Sequence, residues 1–155
     1  MDELRQRCLA VASRFLRVRE DAEDVAQEAA LRVIRARSNG SAVHDEAAFG
    51  TRVTARLAID RVRALAHRRA TRLEAATHVE APPPAEAMPD EVARLYAAIA
   101  KLPPKQSAVV TLRKLCEMDY ADIAALMGIS QESCRSHCRL GLQRLREMLK
   151  ESGET

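Results

Sequence analysis

Gln131, Arg135, Ser136 and Arg139 recur at the spacing of successive turns of one helix. The chemistry open to them is hydrogen bonding rather than bond making. Glutamine and arginine can each present two groups to one base edge, and serine and arginine can hold phosphate oxygens. Cys134, Cys138, Leu142 and Leu145 interleave with them on the inward side. Two cysteines one turn apart with His137 beside them also resemble a fragment of a metal or redox site. The sequence has four cysteines, Cys8, Cys116, Cys134 and Cys138, and no CxxC spacing. On the apolar side of a helix, cysteine serves as a small hydrophobe. No metal ligand set, cofactor or catalytic residue is assigned, because no nucleophile–base pair or phosphate loop accompanies these side chains.

A hydrogen-bonding helix of this kind has to be held by a second one. The stretch Asp119 to Arg146 reads as two helices and a tight turn. In the first, Tyr120, Ile123, Ala124 and Met127 make one apolar face. Gly128 can take a positive φ and stop that helix. Ile129 plugs the corner, and Ser130 is suited to cap the second helix. A helix–turn–helix with a basic, polar outer face suits a DNA major groove. The plain alternative is an αα-hairpin of a core with a solvated charged face.

Two further polar sets lie upstream. The stretch 21–36 predicts a helix that buries Ala22, Val25, Ala26, Ala29 and Val33 or their neighbours and exposes Asp24, Gln27, Glu28 and Arg32. Asp21 is expected to cap it, with Asp24 completing a capping box. The exposed stripe is either solvated or a docking face for a partner helix. Phe49 to Arg69 predicts one long helix, with Phe49, Val53, Leu57, Ile59 and Val62 on its apolar side and Thr51, Arg52, Arg56, Asp60, Arg63 and Arg68 on the other. From Arg61 to Leu73 there are five arginines, Arg69 among them, one histidine and no acid. That exceeds what a helix C-terminal dipole calls for and points to phosphate contact.

Leu4, Cys8, Val11 and Phe15 mark an earlier helix. Val92, Leu95, Ile99 and Leu102 mark one that stops at Pro103-Pro104, and Ala108, Val109, Leu112 and Leu115 mark another over Lys105 to Lys114. The fold class is therefore all-α, in two small helical domains, 1–73 and 91–155, joined by an acidic proline linker, 74–90, with Glu151 to Thr155 a frayed tail. Net charge is +3, distributed as +5 over residues 1–73, −4 over 74–90 and +2 over 91–155. Two basic segments around an acidic connector suit a protein that touches a polyanion at two places. Aromatics are only 3% and glycines five, which favours helices over a turn-rich β fold. No apolar run is long enough to span a membrane, and Met1 to Ala10 lacks an export core, so a cytoplasmic protein without membrane insertion is expected.

Taken together, these segments resemble a bacterial sigma factor of the extracytoplasmic-function (ECF) type, in the sigma-70 family. DAEDVAQEAALRV resembles the helix that docks on the β′ clamp helices of RNA polymerase. LAIDRVR resembles the end of the segment that meets the −10 element. LPPKQSAVVTLRKLCEMDYADIAALMGISQESCRSHCRLGLQRLRE resembles the region that binds the −35 element and the β-flap. The resemblance implies two domains, sigma-2 and sigma-4, core RNA polymerase and promoter DNA as partners, and a possible anti-sigma factor. It gives polymerase docking to Asp24, Gln27 and Glu28. It gives −10 and backbone contacts to Arg52, Arg56 and Asp60, with Arg63, Arg68 and Arg69 from the basic run. It gives −35 contacts to Arg135, Ser136 and Arg139, beside Gln131. The chain departs from the family at Phe49 and Arg56, where tryptophan and asparagine are usual, which bears on DNA melting and −10 preference. The resemblance implies that a flipped −10 base is captured in a loop, here Ser38 to Ala48. Two other readings fit part of the sequence. One is a stand-alone helix–turn–helix regulator, and the other a sigma mimic that titrates an anti-sigma factor.

Overall fold

The computed structural model describes residues 2–40, 45–75 and 89–153, with side chains described only as far as Thr71 before the second gap and Glu151 at the end. Every regular element among them is a helix. The chain divides into two compact units, Met1–Ala85 and Glu86–Thr155.

In the first unit α1 (Asp2–Phe15), α2 (Arg19–Ser38) and α3 (Glu46–Ala75) pack on one another. Alanine forms most of the seam. Ala12, Ala22, Ala26, Ala29, Ala30, Ala55 and Ala58 are all buried. Small side chains let the backbones close in, while Val25, Leu16, Cys8 and Val33 fill what remains. Thr54 is wholly buried and satisfied, its hydroxyl donating to the Gly50 carbonyl at 2.6 Å. The expected buried positions of α2 are all buried.

Three local expectations change. The second helix begins at Arg19, with Val18 in the cap position and no side-chain cap. Asp21 therefore lies inside the first turn, where an acid is favoured by the helix dipole without capping an amide. Its carboxylate accepts instead from Arg61 of α3 at 3.0 Å, and Asp24 does not complete a capping box but lies 3.6 Å from the same arginine. The third helix starts a turn earlier than Phe49, because the Asp45 carboxylate accepts from the Ala48 amide at 3.1 Å. Val62, expected on the apolar side, is 39% exposed. Past Ile59 no described side chain of α3 is fully buried, though Leu65 still packs, half-buried, against the core shared with α1 and α2.

The second unit contains α4 (Asp90–Lys101), α5 (Pro104–Val110), a π-helical turn over Thr111–Leu115, α6 (Tyr120–Met127) and α7 (Gln131–Gly153). Its core joins Ala98, Ile99 and Leu102 to Val110 and Leu145, with Leu95, Leu115, Leu142, Met148 and Leu149 packed around them. Val92 is 38% exposed rather than buried, since the core begins one turn further along α4. The helix expected over Lys105 to Lys114 is broken in register by the π turn. Val109 and Val110 at the end of α5 and Thr111 and Leu112 at the start of the turn are all in the interior. Gly141 of α7 meets α5 so closely that a Cβ there would lie 2.6 Å from the Val110 Cγ2. No described helix is long and apolar enough to cross a membrane.

The linker expectation, 74–90, falls mostly on residues 76–88, outside the described residues. The loop expected over 38–48 is shorter, since α2 runs through Ser38 and α3 begins at Glu46, and its residues 41–44 lie outside the described residues. Residues 154 and 155 of the expected tail are also outside the description, and α7 runs on to Gly153.

Candidate nucleic-acid interface

The helix–turn–helix is built by backbone satisfaction at each joint. Asp119 caps α6, its carboxylate accepting from the Asp122 amide at 2.9 Å. Gly128 takes φ +69°, and both its amide and that of Ile129 donate to the Ala124 carbonyl, at 2.9 and 3.2 Å. A residue bearing a Cβ would be strained at that φ. The Ser130 hydroxyl accepts from the Ser133 amide at 3.0 Å and so caps α7. Ile123, Cys134 and Cys138 seal the angle between the two helices, with at most 2% of their surface exposed.

Against that inner face, Gln131, Arg135 and Arg139 stand exposed on α7. Ser136, expected to point outward with them, is half-buried, its short hydroxyl reaching less far than the arginines. Burial pushes the Cys134 thiol above its ordinary pKa, while the neighbouring Arg135 charge opposes the shift. A buried thiol kept protonated is a poor nucleophile and a poor metal ligand. Cys138 is equally buried, and no group of three or more His, Cys, Asp or Glu side chains placed to hold a metal occurs among the described residues.

A second layer lies behind Arg135, and sequence reasoning missed it. The guanidinium carbons of Arg113 and Arg135 lie over the Tyr120 ring, 4.5 and 5.2 Å from its centroid. Arg113 also donates to the Met118 carbonyl at 3.1 Å, across a turn in which Glu117 takes φ +55°. Burial raises the Tyr120 hydroxyl above its ordinary pKa and the Cys138 thiol adds to this, while the Arg113 charge opposes it. Tyr120 counts in the sequence only as an apolar-face residue. No local spacing rule joins it to an arginine fifteen positions on.

In the first unit, Asp24, Gln27 and Glu28 are exposed together on α2, as expected. They are not a bare acidic stripe. Glu28 accepts from Arg32 at 2.8 Å, and Asp24 lies against Arg61. On α3, Arg52, Arg56, Asp60 and Arg63 follow one another at helical spacing. Arg52 is half-buried and the other three are exposed. Arg68 and Arg69 are exposed further along but turn away from that line. Arg61, counted in the basic run, is instead a partner of Asp21 and Asp24. Phe49 is half-buried.

Comparison with known proteins matches both units in chain order. The model for sigma-70 region 2 matches residues 1–69, and the model for sigma-70 region 4 matches residues 93–145. The chain is 32% identical over 143 residues to the ECF RNA polymerase sigma factor SigJ of Mycobacterium tuberculosis, covering 86% of this chain and 45% of that protein. It is 34% identical over 158 residues to the ECF RNA polymerase sigma factor SigE of Mycolicibacterium smegmatis, covering 96% of this chain and 60% of that one. The chain thus spans roughly half the length of these curated relatives. In fold it is similar, at a TM-score of 0.69 and 18% identity over 96% of this chain and 92% of the other, to the sigma factor RpoE of Bartonella quintana, solved in complex with the anti-sigma factor NepR. With region 2 followed by region 4 over most of its length and ECF proteins among its relatives, the chain belongs to the sigma-70 family, in its ECF type.

Proposed function

We propose that this chain binds core RNA polymerase and directs promoter-specific initiation of transcription, without catalysing a reaction of its own. The observation that carries the reading is the pair of faces in one chain. Asp24, Gln27 and Glu28 stand exposed on α2, and Gln131, Arg135 and Arg139 stand exposed on the second helix of a capped helix–turn–helix. A DNA-binding regulator that works alone would have no use for the first face. In this reading residues 1–73 dock on the β′ clamp helices through α2 and meet the −10 element through Arg52, Arg56, Asp60 and Arg63, with Arg68 and Arg69 on the backbone. Residues 74–90 connect, and residues 91–155 bind the −35 element and the β-flap in the cytoplasm. The base-edge work falls to Arg135, with Gln131 beside it. One arginine held bidentate to guanine discriminates by about 1–3 kcal/mol. Arg139, a turn further on, serves as a phosphate clamp.

A second reading has one observation in its favour. The fold is similar to that of a sigma factor solved with an anti-sigma factor bound. An anti-sigma factor is therefore also proposed as a partner, either regulating a functional sigma factor or being titrated by a mimic. In vitro transcription with core polymerase on genomic fragments separates the two. Discrete start sites that depend on this chain support the first reading. No transcript from any fragment, in a chain that still captures an anti-sigma factor, overturns it in favour of the mimic.

A further inference from the structure

Arg135 makes no hydrogen bond or ion pair among the described residues, and its contact with the Tyr120 ring is what holds it. A ring contact engages the positive charge of a guanidinium and leaves its N–H donors unused. Arg113, over the same ring, is tied a second time through the Met118 carbonyl, so the ring is held from the side of the π-helical turn. Tyr120 itself stands at the first position of α6, directly after the Asp119 cap. The ring therefore links three elements, and on one of them it bears against an exposed arginine of the groove-facing helix. An exposed arginine left to itself samples many rotamers, and holding it in one lowers the ordering cost of binding.

We propose that Tyr120 is a positioning residue for sequence discrimination. Its ring holds the Arg135 guanidinium at the height of a base edge, and Arg113 holds the ring. This rests on the reading that α7 enters a major groove. The plain alternatives are a tyrosine that merely packs the helix–turn–helix, and one whose hydroxyl meets a phosphate.

The test uses the full chain on core polymerase, with a duplex library randomised over the upstream promoter element. Discrimination is read from the enriched sequences and salt dependence from titrations. Arg135→Ala should flatten preference at one or two base pairs. Tyr120→Leu should reduce preference by about two- to fivefold at those same positions and nowhere else, the range of a partly exposed cation–π pair. It should leave the salt slope unchanged, because no charge is lost. Tyr120→Phe should retain the discrimination, and Tyr120→Leu should add nothing in the Arg135→Ala background. A Tyr120→Phe variant that weakens all sequences equally would make the hydroxyl a phosphate contact and overturn the proposal. So would a folded Tyr120→Leu variant with an unaltered profile while Arg135→Ala changes it. If Arg135→Ala itself changes nothing, the groove reading fails and the proposal fails with it. Should Tyr120→Leu not fold, the side-chain proton shifts of Arg135 in the unmodified chain decide. Ring-current displacement supports the contact, and unshifted resonances overturn it.

Discussion

Replacing Gly141 by alanine should destabilise the second unit, against the usual expectation for an interior helical glycine. Helix propensity alone favours the change by about 0.5–1 kcal/mol. The new methyl, however, would lie 2.6 Å from the Val110 Cγ2, where carbon atoms ordinarily rest about 3.5–4.0 Å apart. Val110 is 2% exposed and, being β-branched, has no easy rotamer to retreat into. The Gln106 Cβ and carbonyl, at 3.5 and 3.6 Å, add ordinary contacts that block a sideways shift. Relief then requires α5 and α7 to part, and overpacking of this sort costs about 1–3 kcal/mol. The net expectation is a loss of about 0.5–2 kcal/mol, or roughly 4–8 °C in Tm for each kcal/mol in a unit of this size. Denaturant unfolding of the full chain should show the shift in the transition of the second unit only. The decisive measurement is a double-mutant cycle. Val110→Ala alone should cost roughly 2 kcal/mol for its buried methyls. Combined with Gly141→Ala it should cost less than the two added, by about 1–2 kcal/mol. Strict additivity, or a Gly141→Ala variant more stable than the parent, would refute the steric argument.

Reversing Glu28 to lysine together with Gln27→Ala should weaken core polymerase binding in a pull-down and move stability by about 0.5 kcal/mol or less, since both side chains are exposed. Arg61→Ala should cost the first unit about 1–2 kcal/mol in chemical denaturation, because Asp21, only 20% exposed, loses its partner. Arg63→Ala on the exposed side should cost almost nothing by the same measurement. Arg139→Ala should weaken DNA binding about equally on all sequences and reduce the slope of log affinity against log salt by about one. Cys134 should contribute to stability at high pH with a definite sign. Its folded pKa is raised by burial, so its contribution is fully present below the unfolded thiol value and is lost as pH rises through the folded one. The decline in Tm above about pH 8.5 should therefore be smaller in Cys134→Ala, even though that variant starts less stable.

What the sequence discloses and what it withholds follow the range of the forces involved. The turn of the helix–turn–helix is legible because Gly128 and Ser130 act on their own neighbours, through a positive φ and a cap. The buried side of α2 is legible because burial there keeps strict helical spacing. Asp21 misleads because an acid near a helix start suits a cap and a first-turn site equally, and its actual partner, Arg61, is forty residues away. Val92 misleads because spacing tells which side of a helix is apolar and says nothing about where its cover begins, and Val62 because it stands at the margin of that side, with Leu65 beyond it still packed on the core. The Arg113–Tyr120–Arg135 contact and the close approach at Gly141 depend on how whole helices cross, which no local pattern encodes.

The alanine seam of the first unit has a consequence for how mutations there will distribute. Truncation scanning measures a core by what is lost when side chains are cut to alanine. At seven of its buried positions there is nothing to cut. The same positions leave no room for growth, since helices brought together over methyl groups have little slack. A substitution map of this unit should thus be lopsided. Scanning with alanine will be silent at these seven positions, while scanning with valine or leucine will find sensitive sites at Ala12, Ala29, Ala55 and Ala58, where exposure is nil. Drift in such a seam is confined to residues no larger than alanine, so these positions would vary far less among descendants of this sequence than the bulkier residues around them.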